Sequence, residues 1–370
     1  MKELNISKTI TAKRKEKAVT QDELAAYIGV SKASVSKWET GLSYPDITFL
    51  PQLAAYFNIS IDELLGYEPQ MTKGDISKLY KYMTQSFSKK PFEEVMEECR
   101  QIIKKYYSCF PLLMAMAVLF VNHYMLAGDK ERQEEVLNQA VELCKRIKSE
   151  EADTFLVNEA NSIEAVCALL LNQPGEVIDL LEGTLKATLT NESVLASAYH
   201  MKGEPDKSRE VLQVGIYQHL MITLDLLTSY MMLFTSQPER FDSILNRNLS
   251  IADVFELDSL NPGLILRTYL CAAQGYAVQN RPEESISMLS RYAEICINES
   301  SELTLHGDKF FDSLDKWFSD LDFGGQPPRD AKVIKASMLQ AIDNNPAFTI
   351  LMEYPRYKSI LEKLKKIAGG

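Results

Sequence analysis

Thr20-Gln21-Asp22-Glu23-Leu24-Ala25-Ala26-Tyr27-Ile28-Gly29-Val30-Ser31-Lys32-Ala33-Ser34-Val35-Ser36-Lys37-Trp38-Glu39-Thr40-Gly41 is the stretch that decides the fold of the first part of this chain. Thr20 and Glu23 form a capping box, so a helix starts at Gln21. Leu24, Ala25 and Ile28 then share one face at helical spacing. Gly29 follows, the residue that most easily takes the left-handed conformation ending a helix. Val30 turns inward, and Ser31 caps a second helix with Val35 and Trp38 on its apolar side. Ala25 is small where two crossing helices meet. These independent features fit one helix-turn-helix.

The flanks complete a small all-helical unit. Residues 6–17 read as a preceding amphipathic helix carrying Lys8, Lys13, Arg14, Lys15 and Lys17. Asp46 is placed to cap a helix with Leu50, Leu53, Ala54 and Phe57 on its apolar face. Ser60 and Glu63 form a second capping box opening a short helix with Ile61, Leu64 and Leu65, which Gly66 ends. Five short helices share a single core. This stretch, over residues 6–66 or so, resembles the phage-repressor-like (xenobiotic-response-element) family of bacterial DNA-binding domains. Thr20-Gln21 with Leu24-Ala25, Gly29-Val30-Ser31, Trp38-Glu39-Thr40-Gly41 and Ile61-Asp62-Glu63-Leu64-Leu65 carry the match.

The resemblance implies a double-stranded DNA operator as partner and assigns roles to named residues. Gln21 matches a glutamine that binds phosphate, at a helix N-terminus whose free N–H groups also suit an anion. Lys32, Ala33, Ser34 and Lys37 match base-reading positions on the recognition helix. Lysine suits guanine O6/N7 or a phosphate, and Ala33 suits a thymine methyl. Thr40, just beyond that helix, is placed to donate to a phosphate or to serve as a plain turn residue. Arg14 and Glu39 match positions of a buried ion pair that braces the recognition helix. Two lysines stand where the family often has amides, which shifts the expected binding toward a salt-dependent, non-specific share.

Charge separates this unit from the rest. The net charge is −11, yet residues 1–66 hold 8 basic and 8 acidic residues, so the whole excess lies beyond them. An acidic body is repelled by DNA phosphates, and DNA contact belongs to the first domain. Lys2 and Glu3 with no early apolar run argue against a signal peptide. The apolar run Phe110 to Val121 is about 12 residues, short of the roughly 20 that span a bilayer, and reads as a buried bundle helix. A cytoplasmic protein without membrane contact is expected. Cys99, Cys109, Cys144, Cys167, Cys271 and Cys296 show no Cys-x-x-Cys pair and read as reduced, buried thiols, with a redox sensor as the sharper alternative. His123, His200, His219 and His306 lack ligand spacing, so neither a metal nor another cofactor is expected.

Beyond Thr72 helical patterns follow one another over residues 73–88, 91–107, 111–127, 130–149, 152–172, 175–188, 191–202, 206–219, 221–235, 239–256, 263–279, 283–298, 308–320, 329–343 and 355–367. Pro174, Pro205, Pro238 and Pro282 mark turns 31, 33 and 44 residues apart. Those intervals suit a tetratricopeptide-like repeat with drift in length, and the ending from Asn345 to Leu364 resembles the capping end of such arrays. Gly324 to Pro328 reads as a loop. The expected organisation is all-α: a DNA-binding domain at 1–67, a linker at 68–74 too short to swing freely, and a helical-repeat solenoid at 75–370 for dimerisation and effector binding. This order resembles the peptide-pheromone receptors of Gram-positive bacteria, the quorum-sensing regulators. The resemblance implies a cytoplasmic homodimer with a short oligopeptide or protein segment in the concave groove.

Groove candidates are polar residues on the first helix of each repeat. Asn158 and Asn161 share a face, and an asparagine offers a peptide backbone both a donor and an acceptor. Asn122, Tyr199, Tyr230, Arg267 and Gln274 are further candidates, each equally readable as solvated or structural polarity. A protein-binding adaptor or inhibitor whose helix-turn-helix no longer acts on DNA is the competing reading. No Gly-rich phosphate loop, ligand set or nucleophile elbow is present, so an enzyme is not expected.

Overall fold

The computed structural model describes residues 5–67, 70–184, 191–298, 304–321, 325–343 and 345–368. Among them every regular element is helical. Two compact units divide the chain: Met1–Thr72 with Glu98–Leu113, and Lys73–Glu97 with Met114–Gly370. The first unit therefore takes in residues 98–113, a stretch assigned above to the body. Of the expected linker, Glu68 and Pro69 lie outside the described residues. Gln70 and Met71 are tied within the first unit: Gln70 Nε2 donates to the Ser108 carbonyl (3.0 Å) and the Met71 N–H to Cys109 Sγ (3.4 Å).

The first unit opens with α1 (Ile6–Glu16), α2 (Gln21–Ile28), α3 (Lys32–Glu39), α4 (Leu50–Phe57) and α5 (Ile61–Leu65). The capping box at Thr20 is complete, with its side chain accepting from the Glu23 N–H and Glu23 reaching back to the Thr20 N–H. Gly29 closes α2 in the left-handed region (φ 82°), Ser31 accepts from the Ser34 N–H to open α3, and Gly66 (φ 62°) closes α5. Asp46 caps a 3-10 turn, Ile47–Phe49, rather than α4 itself, because a capping side chain reaches N–H groups two or three residues on, and the Asp46 carboxylate accepts from the Thr48 N–H. Ile6, Ile10, Leu24, Ile28, Val35, Trp38, Leu53, Phe57 and Leu64 pack into one core. Each such side chain contributes about 1.5–3 kcal/mol by leaving water.

The remaining helices are α6 (Lys73–Lys89), α7 (Phe92–Lys105), α8 (Phe110–His123), α9 (Lys130–Glu150), α10 (Thr154–Leu170), α11 (Pro174–Leu181), α12 (Asn191–Met201), α13 (Pro205–Met232), α14 (Pro238–Val254), α15 (Leu257–Leu260), α16 (Pro262–Val278), α17 (Pro282–Asn298), α18 (Leu314–Asp320), α19 (Ala331–Asp343) and α20 (Pro355–Ala368). Three hairpin turns are built alike. Asn172 (φ 58°), Gly203 (φ 80°) and Asn280 (φ 57°) are left-handed, each two residues before the proline that opens the next helix. The intervening N–H groups of Gln173, Glu204 and Arg281 donate back to Ala168, Tyr199 and Tyr276 at 2.8–2.9 Å. Ser208 Oγ donates to the Ala196 carbonyl and Ser285 Oγ to the Ala273 carbonyl, both at 2.8 Å and both buried, so α12–α13 and α16–α17 repeat one packing unit.

The largest core cluster gathers Tyr217, Leu224, Tyr269, Phe311, Phe318, Phe348 and Tyr357 from α13, α16, α18, the C-terminal elements and the segment before α18. A smaller one joins Met231, Phe241, Leu245, Ala272 and Tyr276. Between α13, α14 and α16 runs a buried polar seam, bonded internally except at Asn248 Oδ1, which has no partner among the described residues. Thr228 Oγ1 meets Thr268 Oγ1 at 2.8 Å, and Asn248 Nδ2 donates to Thr228 Oγ1 and the Leu224 carbonyl at 3.0 Å each.

Several elements differ from expectation. The helices expected at 206–219 and 221–235 are one helix of 28 residues, α13. No Gly, Pro, Asn or Asp lies between Ile216 and Leu224 to end a helix, and Leu220 sits in the core where a turn was expected. Helix 308–320 begins only at Leu314, because the Asp308 carboxylate takes the N–H groups of Phe310 and Phe311 (2.8 and 2.6 Å) and holds that stretch in a turn. Leu257–Leu260 and the 3-10 turn Pro346–Leu351, capped by Asn345, were not anticipated. α11 ends at Leu181, and residues 185–188 of the helix expected there lie outside the described residues, as does Gly324 of the expected loop. The apolar run of α8 is buried as expected, and among the described residues no helix is long and apolar enough to cross a membrane.

Candidate nucleic-acid interface and ligand residues

α3 presents one face to the core through Val35 and Trp38 and leaves Lys32, Ala33 and Lys37 exposed. Its position is fixed from behind. Arg14 of α1 grips Glu39 at the end of α3 through two parallel hydrogen bonds, Nε to Oε1 at 2.6 Å and Nη2 to Oε2 at 3.0 Å. The same guanidinium donates to the Val19 carbonyl at 2.7 Å. Burial works to raise the Glu39 pKa, but hydrogen bonds from Arg14 and Gln21 outweigh it and hold the carboxyl below its ordinary value. One pair thus ties α1, the α1–α2 connection and α3 together, as the resemblance implied.

The six expected DNA-contact residues fall into different local situations. Gln21 Nε2 donates to Glu39 Oε2 at 2.8 Å, which fixes the amide at the first turn of α2 and leaves its second N–H for a phosphate. Lys32 is exposed but lies 2.7 Å from the equally exposed Asp22 carboxylate. Lys37 and Ala33 are exposed, whereas Ser34 is half-buried, with its Oγ 2.9 Å from Ser31 Oγ. The Thr40 hydroxyl closes the end of α3 by donating to the carbonyls of Ser36 (2.9 Å) and Lys37 (3.2 Å), so its role in this state is the turn. Sequence reading missed the Lys32–Asp22 pair. The two residues are ten apart on different helices, and only the crossing of α2 and α3 brings them together.

Past the recognition helix the chain carries exposed apolar residues, Leu42 (79%), Tyr44 (57%) and Ile47 (77%). The N–H groups of Leu42 and Ser43 both donate to the Lys37 carbonyl, at 2.9 and 3.3 Å, which anchors this segment to the end of α3.

The groove candidates do not form one set. Asn161 is absorbed by the fold: its Nδ2 donates to the Leu180 carbonyl (3.0 Å) and its Oδ1 accepts from Lys148 (3.3 Å), stitching α9, α10 and α11. Asn158, one turn earlier, is exposed. Asn122 donates to the Tyr80 hydroxyl at 3.3 Å, between α8 and α6. Tyr199 is half-buried beneath the Lys207 ammonium, 5.4 Å from its ring centroid. Tyr230 accepts from Arg240 at 2.9 Å and packs edge-on against Phe234. Arg267 pairs with Asp225 and donates to Ser229 Oγ at 3.1 Å, and it also lines a cavity. Gln274 is half-buried.

The cysteines are free, and five of the six are buried. Burial pushes the thiols of Cys99, Cys144, Cys167 and Cys296 up to about 12. Those thiols lack the thiolate character that reactive cysteines need.

Residues 10–64 match the family described as Helix-turn-helix. The HTH-type transcriptional activator BcrR of Enterococcus faecalis is 36% identical over 76 residues, 19% of this chain and 37% of that protein. The chain therefore spans little more than a third of that relative's length. The crystal structure of Bacillus thuringiensis PlcR in complex with the peptide PapR7 and DNA aligns over 79% of this chain and 94% of that one, at 16% identity and a TM-score of 0.33. So loose a superposition supports no argument about this chain. Family match, capping pattern and core agree on one statement: residues 10–64 are a helix-turn-helix domain, followed in this chain by a helical body.

Proposed function

We propose that this protein is a sequence-specific DNA-binding transcription regulator, working as a homodimer under the control of a peptide or protein ligand held by its helical body. The observation that carries the reading is the recognition helix, exposed along Lys32, Ala33 and Lys37 and braced from behind by the Arg14–Glu39–Gln21 network. A rigid reading element with cations on its outer face is what major-groove binding requires. The match over residues 10–64 and the likeness to a transcriptional activator point the same way. Gln21, Lys32, Ala33, Ser34 and Lys37 are its contact residues, with Thr40 closing the helix.

Dimerisation is supported by α13. Apart from its buried face, it exposes Leu212, Ile216, Leu226 and Tyr230, with Leu233 just past its end, and His219 and Thr223 complete an alternating spacing of four and three. That is the spacing of a helix–helix seam, and a second copy of the chain supplies the matching helix. Ligand control requires the ligand to favour one dimer geometry over another.

The test is footprinting on DNA flanking the gene, with wild type and with Lys32→Ala combined with Lys37→Ala. The wild type is expected to protect a defined site, and the double variant to lose it while keeping its helical circular dichroism. Protection by both alike would remove α3 from the mechanism. A wild type that protects nothing would favour the adaptor reading, in which the helix-turn-helix does not act on DNA.

A further inference from the structure

The first turns of α16, the face of α19 and residues 326–329 line a cavity of about 500 Å³. Its walls include Leu266, Leu270, Ile334 and Met338, and among the described lining residues the charged ones are Arg267 and Arg329, with no carboxylate. This stands out in a chain of net charge −11. The two cations differ. Arg267 is offset by Asp225 of α13. Arg329 is half-buried, and among the described residues its Nη1 has only neutral partners, Ser337 Oγ at 3.2 Å and Met125 Sδ at 3.5 Å.

A guanidinium stays charged in a protein, so withdrawing Arg329 from water is costly unless an anion joins it. Burial accordingly lowers its pKa from the ordinary value. Ser337 holds one edge of the fork, and the rest remains for a ligand. The walls are set before any ligand arrives. The Tyr292 hydroxyl donates to the Met338 carbonyl at 3.2 Å, and the Asn261 side chain is fixed by capping α16 and by donating to the Tyr217 hydroxyl at 3.0 Å. A volume of this size is typical of sites for small organic ligands, or for the last few residues of a peptide.

We propose that this cavity binds an apolar chain ending in a carboxylate, with the carboxylate on the Arg329 guanidinium and the apolar part against Leu266, Leu270, Ile334 and Met338. A planar guanidinium matches a carboxylate with two parallel hydrogen bonds, which an amide terminus cannot accept in the same way. The proposal rests on the ligand-controlled reading above and takes the C-terminal end of a short peptide as the source. A free fatty acid carries the same chemistry.

The test presents the intact protein with a pool of hexapeptides bearing Leu, Ile, Met or Phe at the last three positions, made once as free acids and once as C-terminal amides. Peptides retained after gel filtration are counted by mass spectrometry, and dodecanoate binding is measured by calorimetry. The acids are expected to be retained at least tenfold over the amides. Arg329→Gln should abolish that preference and Arg329→Lys should keep part of it, each with an unchanged melting temperature. Ala341→Phe, which fills the cavity and keeps both arginines in the sequence, should abolish retention and covers the case of a poorly folded arginine variant. Equal retention of acids and amides overturns the carboxylate site and leaves peptide control standing. Dodecanoate bound with no peptide retained, and lost in Arg329→Gln, supports the carboxylate site and removes the peptide as its source. Retention of neither peptides nor dodecanoate overturns both the site and peptide control.

Discussion

At the scale of single residues, the recognition helix is governed by which charges are already neutralised. Lys32 and Asp22 are both exposed, and an exposed pair of this kind is worth only about 0.2–1 kcal/mol, so under the proposed function a DNA phosphate would compete with Asp22 for Lys32. Asp22→Asn removes that competitor and a like charge facing the DNA. It is expected to tighten operator binding several-fold, whereas Lys37→Ala should weaken it and lower the log–log salt slope by about one, both read by fluorescence anisotropy across a salt series. His123 makes a second residue-scale case. It is 1% exposed, its Nδ1 meets the Leu119 carbonyl at 2.8 Å, and its ring stacks on Phe87 at 4.5 Å. Burial lowers its pKa from 6.5 to about 4. The unfolded chain therefore takes up this proton before the folded one does. The neutral ring's contribution is full above pH 6.5, declines as pH falls toward 4 and then levels off, a loss of about 3 kcal/mol at most. Urea midpoints at pH 7 and pH 5 should drop less for His123→Phe than for the wild type, and an equal drop would place the acid sensitivity elsewhere.

At the scale of elements, helix starts and stops were largely legible because they are local. Thr20, Ser31, Ser60 and the turn prolines each act within three or four residues, and the structure keeps every one of them, although at Ser60 only the serine's half of the expected capping box forms. What failed was the reading of 206–235 as two helices. Apolar residues there line two faces, and a pattern apolar on both sides carries no clear period to fix a boundary. Packing between elements is equally hidden from propensity. In α16, alanine at Gly275 would be favoured in an isolated helix by about 1 kcal/mol. In the fold a Cβ there would lie 2.4 Å from two ring atoms of Phe241, which is fully buried. Gly275→Ala is expected to destabilise the protein by about 3 kcal/mol, overpacking outweighing propensity, and thermal or urea unfolding measures it directly. A neutral or stabilising effect would mean that α14 and α16 can separate at small cost.

At the scale of the whole molecule the proposed homodimer gives the sharpest test. One small reading domain makes few phosphate and base contacts, and two domains on half-sites about one helical turn apart are expected to provide tight binding. Leu226 is 62% exposed in the middle of the α13 seam, so Leu226→Lys should leave the monomer's stability unchanged. It should nonetheless convert a dimer to a monomer in light scattering after gel filtration, and weaken operator binding at least tenfold. A dimeric Leu226→Lys protein would move the interface to another surface. By itself the sequence determined the helix-turn-helix, because capping residues, a left-handed glycine and helical spacing act over short distances that a linear pattern displays; the Arg14–Glu39 brace, 25 residues apart, was implied only by the family resemblance. It also located the acidic excess beyond residue 66, since charge is additive along a chain. Tertiary structure alone decided which polar groups are free. Asn161, Asn122 and Thr40 looked available and are bonded within the fold, while Arg329, singled out by no motif, lines a cavity with no counter-charge among the described residues. A side chain's partner is set by which helices cross, and crossings join residues tens to hundreds of positions apart, which no local spacing records.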